Sequence, residues 1–178
     1  MLKRKGISLS DAHKKKTWSS GTKKVKITPK YDTKLNCWGA ISYHGASSLH
    51  IYQGTLKAQT HRDILEEHIE ELNNVCPDGY QFQHDKHKSH VSVEPWAIRQ
   101  GMEIVDYPTY SPDLSPIENL WATLKLAVAS DNPTTENQLR NSLYRNWEKL
   151  TTPENLAPYF EGLENRYQNC LNLNGDYV

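Results

Sequence analysis

Three kinds of side chain in this 178-residue sequence stand where they could do chemistry: histidines, lysines and carboxylates. His84, His87 and His90 recur at every third position of HDKHKSH. Three imidazoles at that spacing offer a zinc site, since zinc takes nitrogen and thiolate donors in a tetrahedral array. No cysteine pattern accompanies them, and the plainer reading is strand-end or loop histidines bonded to neighbouring backbone. Lysines cluster near the start, as Lys3-Arg4-Lys5, Lys14-Lys15-Lys16 and Lys23-Lys24 with Lys26. Such clusters suit phosphate contacts, with Lys14, Lys15, Lys16, Lys23 and Lys24 as the nucleic-acid-binding candidates, or a nuclear-import signal. The alternative is a solvated arm.

The carboxylates of interest are Asp85, which closes the alternating segment YQFQHD, and Glu118, inside SPDLSPIENLW (Ser111 to Trp121). Glu118 has a structural reading too. Ser115 to Glu118 forms an S-x-x-E capping box with Pro116 at the first helical position, so the carboxylate could bond the backbone N–H of Ser115. Asp113 sits in a Pro-flanked turn and is read as shaping the loop.

SPDLSPIENLW resembles the S-P-D-L-x-P-I-E-x-L-W string of Tc/mariner-type DDE transposases at every defined position. Upstream, NCWGAIS is similar to that family's W-G-x-I-S strand, and Asp85 with His90 fits its D-x-x-x-x-H spacing. The likeness runs from about Trp18 onward. It implies an α/β, ribonuclease-H-like mixed sheet with flanking helices, and a DNA endonuclease and strand-transferase acting in transposition and integration. Three carboxylates in such a domain hold two divalent ions, Mg2+ or Mn2+. Hard cations prefer carboxylate oxygen, and a pair about 4 Å apart activates the attacking oxygen and stabilises the leaving one. By this resemblance Asp85 and Glu118 are the second and third ligands, DNA at transposon ends is the partner, and a homo-oligomer is admitted.

Three departures qualify the expectation. The family's first aspartate belongs to an opening strand, usually as Asp-Glu, and no such pair precedes Asp85. Asp11 is the available substitute: Ile7, Leu9 and Asp11 would share one strand face. Lys86 and Lys88 flank Asp85, and close cations oppose a dication. Thirty-two residues lie between Asp85 and Glu118, slightly fewer than is usual, and Pro95 interrupts the helix expected there. Pro in a helix interior costs roughly 3 kcal/mol unless it occupies the first turn. The sequence therefore predicts an N-terminally truncated catalytic domain, its first strand and first aspartate missing, inactive as this chain. The alternative is a non-catalytic nucleic-acid-binding or interaction module derived from a transposase. Nothing upstream resembles a helix-turn-helix reader of DNA.

The elements that must position these residues follow from periodicity. Residues 1–35 read as a basic arm and remnant of the first hairpin, with a short strand at 23–28, and residues 36–178 as the catalytic domain. Strands are predicted at Asn36 to Tyr43 and Ser48 to Gln53, joined by His44-Gly45-Ala46 as a hairpin. Apolar Ile64, Leu65, Ile69, Leu72 and Val75 recur at helical spacing from Thr60 to Val75. Tyr80 to Asp85 and Met102 to Val105 read as strands around a helix from about Val91 to Gln100, a strand–helix–strand unit of a partly parallel sheet. Helices follow at Pro116 to Ala129, Thr135 to Leu150 and Pro153 to about Leu173. Ile117, Leu120, Trp121, Leu124 and Val128 form a buried stripe with Glu118 at its edge. Trp38, Trp96, Trp121 and Trp147 are expected in the core.

Bulk composition narrows the function classes. Residues 1–36 hold eleven Lys/Arg against Asp11 and Asp32, while the remainder hold ten against nineteen acids, so a net charge of zero hides opposed ends. No apolar run reaches the roughly 20 residues of a membrane helix, and no apolar segment follows the N-terminal basic residues as in a signal peptide. Cys37, Cys76 and Cys170 are odd in number and widely spaced, as reduced thiols of an intracellular protein are. Together these favour an intracellular, nuclear protein without a membrane partner.

Overall fold

The computed structural model describes residues 2–8, 34–84, 87–106 and 114–172. Asp11, Asp85, Lys86, Asp113, the strand read at 23–28, and Lys14, Lys15, Lys16, Lys23 and Lys24 lie outside the described residues. In chain order the strands are β1 (Leu2–Ser8), β2 (Lys34–Ser42), β3 (Gly45–Ala46), β4 (His50–Tyr52), β5 (Gln81–Phe82) and β6 (Glu103–Ile104). The helices are α1 (Ala58–Val75), α2 (Lys88–Val91), α3 (Glu94–Arg99), α4 (Pro116–Asp131), α5 (Glu136–Leu150), α6 (Pro153–Phe160) and α7 (Leu163–Asn172).

β2 organises the molecule because its two faces bury different partners. Successive strand side chains point to opposite sides. Leu35, Cys37 and Ile41 pack with Ile117, Leu120, Trp121, Leu139 and Trp147 of the C-terminal helices. Trp38 and Ala40 pack instead with Ile64, Leu65 and Leu72 of α1, Phe82 of β5 and Trp96 of α3. The sheet is thus a middle layer between two helical layers. Trp38, Trp96, Trp121 and Trp147 are all buried, as the sequence predicts.

On one edge of β2, β1 runs antiparallel from Leu2 opposite Ala40 to Ser8 opposite Lys34. β4 pairs along the other edge, from Asn36 opposite Tyr52 to Trp38 opposite His50. This corrects the expectation of a missing first strand: Lys3, Arg4, Lys5 and Gly6 hide β1 from a hydrophobic-pattern reading, since backbone pairing with β2 and not an apolar alternation defines it. The hairpin after β2 turns more tightly than expected. Tyr43 and His44 form the turn, and Gly45 and Ala46 already pair with Ser42 and Ile41. Ser47 then closes the register, its hydroxyl oxygen accepting from Ala40 N at 2.9 Å and its N–H donating to Ala40 O at 3.0 Å.

β5 and β6 are parallel, Gln81 opposite Glu103 and Phe82 opposite Ile104, with helices between them. The single helix expected at 91–100 is instead α2 and α3, divided at Ser92 and Val93. Pro95 explains the break: it occupies the first turn of α3, where no intrahelical N–H bond is lost. The long helix expected from Pro153 is likewise two helices. Gly162 at φ +75° breaks the run between α6 and α7, a conformation that only glycine adopts cheaply.

Candidate active site

Glu118 lies in the first turn of α4, and the surrounding sequence fixes that turn firmly. Leu114, Ser115, Pro116 and Ile117 are buried in succession, so the helix start is anchored in the core. Ile117, Leu120, Trp121, Leu124 and Val128 are each 0% exposed, the stripe expected from their spacing. Each such side chain contributes roughly 1.5–3 kcal/mol on burial. Glu118 sits half-buried at the margin of this stripe. The reciprocal capping box does not form: Ser115 is the N-cap but its side chain makes no capping hydrogen bond. Glu118 N donates to Ser115 O at 3.0 Å along the backbone.

Asp85 itself lies outside the described residues, and the described residues on both sides of it are held by specific contacts. On the near side, Phe82 O accepts from Val105 N at 3.0 Å, and the buried His84 sets Nε2 3.3 Å from Glu94 Oε1 at the start of α3. On the far side, His87 Nδ1 accepts from Ser89 N at 3.3 Å and caps α2. His90 is buried with its ring 4.6 Å from that of His61 and 5.5 Å from that of His84. Lys88 is exposed. His84 and His87, the described residues on either side of positions 85 and 86, follow the carboxyl end of β5.

One cavity of about 410 Å3 lies between the end of β5 and the start of α4. Phe82 and Gln83, leading to Asp85, and Pro116, opening the helix of Glu118, all line it. Ile41 of β2, Leu72 of α1 and Leu163 of α7 give it largely apolar walls. A water-poor wall strengthens any charge interaction at its rim.

The zinc alternative at His84, His87 and His90 is not supported, because their ring nitrogens do not converge. Among the described residues the group that brings three donor atoms within 4.8 Å of one another is His50, Glu67 and His68. Sequence spacing gave no sign of it, since His50 lies on β4 and the other two on α1. The cysteines are free thiols. Burial pushes the Cys37 thiol up to about 12 against a small opposing pull from Arg140, which makes it an inert core residue. Among the described residues no helix is long and apolar enough to cross a membrane.

Comparison with known proteins bears on this geometry. A model described as DDE superfamily endonuclease matches residues 5–140. The Tc3 transposase of Caenorhabditis elegans is 26% identical over 147 residues, 79% of this chain and 44% of that protein. The Tc1 transposase of the same nematode is 26% identical over 142 residues, 78% of this chain and 51% of that protein. The chain thus spans about half the length of the curated relatives it matches. A Mos1 transposase paired-end complex with left transposon end superposes with a TM-score of 0.83 at 19% identity, over 99% of this chain and 55% of that one. That likeness establishes the ribonuclease-H-like fold expected from the motifs. With the family model covering most of its length, from β1 into α5, this chain belongs to the DDE superfamily of endonucleases.

Proposed function

We propose that this chain is the catalytic domain of a Tc/mariner-type transposase, with Asp85 and Glu118 as ligands for divalent metal and DNA as the substrate. The observation that carries the reading is the placement of Glu118. It stands half-buried in the first turn of α4, two residues after Pro116, which lines the same cavity as Phe82 and Gln83 of the segment leading to Asp85. Two carboxylates suit Mg2+ or Mn2+, hard ions that take oxygen donors. Mos1 paired-end complexes have been solved with Mg and with Mn. When bound, such ions activate an attacking oxygen and stabilise a leaving one in phosphoryl displacement. The chain's own part is to hold Glu118 rigidly through the buried stripe of α4. It also holds His84 and the α2 cap, the described residues on either side of Asp85. The lysines of the N-terminal arm contact phosphate, and the protein works in the nucleus in association with like subunits.

Two matched carboxylates leave the family's set one short, and Asp11 is the remaining candidate for the missing first one. We infer that the chain alone does not cut DNA. The test is a nicking assay on duplex DNA with Mg2+ or Mn2+, run on the chain and on Asp11→Asn, Asp85→Asn and Glu118→Gln. Background nicking throughout is the expected result. Metal-dependent nicking lost in all three variants would instead make Asp11 the first ligand of the set, and nicking that survives Asp85→Asn and Glu118→Gln contradicts the site.

The surplus of nine positive charges in residues 1–36 favours a second reading, a non-catalytic nucleic-acid-binding module. Its mark is DNA affinity that falls steeply with salt, vanishes when Lys14, Lys15 and Lys16 are neutralised, and ignores Mg2+.

A further inference from the structure

Away from Asp85 and Glu118, a second donor cluster joins the hairpin to α1. His50 Nδ1 lies 3.4 Å from His68 Nε2 and 3.4 Å from Glu67 Oε2. All three donor atoms fall within 4.8 Å of one another. Ligands about 2.0–2.1 Å from a tetrahedral zinc ion stand about 3.4 Å apart, the edge of the coordination tetrahedron. Two of the three donor separations, both from His50, are those of a zinc shell.

The surroundings point the same way. His68 is buried, and its Nδ1 lies 3.0 Å from Glu71 Oε2, so its Nδ1–H donates to that carboxylate and its Nε2 lone pair turns toward His50. Glu71 is itself fixed by Ser48, whose N–H donates to Oε1 at 2.8 Å and whose hydroxyl donates to Oε2 at 3.0 Å. A carboxylate behind a histidine is the common support of metal-ligating imidazole, since it sets the tautomer and raises basicity. Trp38 stacks on the His68 ring at 4.9 Å and 25°, holding its plane from the core side. Glu67 and Glu71 together carry two negative charges, which a dication balances. The Glu67 side chain is 62% exposed, leaving a fourth position open to water.

We propose that His50, Glu67 and His68 bind a divalent transition-metal ion, zinc by preference, and that the ion staples β4 to α1. Imidazole donors select zinc and its neighbours over magnesium, so this site is chemically distinct from the all-carboxylate pair. It rests on none of the reasoning about DNA cleavage.

Calorimetric titration of the full chain with zinc chloride tests it, with cobalt as a spectroscopic stand-in. The expected result is one zinc equivalent bound, a visible absorption band from four-coordinate cobalt, and a raised melting temperature. His50→Gln and Glu67→Gln each weaken zinc by about tenfold or more. Both positions are solvent-accessible, and unchanged circular dichroism verifies that the variants fold. Glu118→Gln leaves zinc binding intact, and excess Mg2+ does not displace it. Absence of zinc binding, affinity undiminished in His50→Gln, or displacement by Mg2+ overturns the proposal.

Discussion

Asp131 shows how much one carboxylate can organise. It closes α4, where the helix dipole disfavours negative charge, yet three groups of α5 converge on its Oδ2. Ser142 Oγ donates to it, Asn146 Nδ2 donates at 2.6 Å, and Arg145 approaches to 2.6 Å. The Ser142 hydrogen bond, ahead of those from Asn146 and Arg145, holds the Asp131 carboxyl below its ordinary range although burial opposes it. A depressed folded-state value means that the contribution is present above the unfolded value, about 3.9, and is lost as pH falls through the folded one. Asp131→Asn should cost about 1 kcal/mol at neutral pH, a modest figure because its side chain is 29% exposed. Urea denaturation at neutral pH and again below the folded value measures it; a loss that persists undiminished in acid excludes the carboxylate as its source. None of this network was legible beforehand, since Asp131 and Asn146 meet only when α4 and α5 pack. The helix start that carries Glu118 was legible because a long local string encodes it. His50 and His68 were not, being joined by a hairpin and a helix with no local signature.

Elements with strong periodicity were read well, and breaks within them less so. α1, α4 and α5 follow their apolar spacing because each buries one stripe. Helix breaks depend on single residues: Pro95 starts α3 afresh, and Gly162 divides α6 from α7, signals present in the sequence but outweighed by the surrounding pattern. β1 was hidden for the opposite reason, since its strand state comes from β2 alongside it. The contact between β2 and α5 is a place where packing leaves no slack. A Cβ on Gly39 would stand 2.7 Å from Trp147 Cη2 and Cζ2. That indole is pinned, donating from Nε1 to Ser47 O at 2.8 Å and stacking on Trp121 at 5.1 Å. Gly39→Ala should therefore destabilise by about 1–3 kcal/mol in chemical denaturation, and combining it with Trp147→Phe should be less than additive. A loss below about 0.5 kcal/mol would show that the helix yields instead.

Across the whole molecule, the layered α/β plan and the helix bearing Glu118 were legible in the sequence, while the strand expected at Tyr80 to Asp85 is described only at Gln81–Phe82. The parallel β5–β6 unit and the first turn of α4 come together through two cores that meet across β2, and no local pattern specifies that meeting. The basic N-terminal segment and the acidic remainder make the charge division a property of the entire chain, and with it any DNA affinity. The central claim concerns one pair of carboxylates, and manganese binding tests it without requiring catalysis. Titration of the full chain with Mn2+, followed by loss of the free-ion electron paramagnetic resonance signal, should show a site that Asp85→Asn and Glu118→Gln each abolish and His50→Gln leaves intact. Mn2+ binding of equal affinity in the chain and in both carboxylate variants would contradict the account.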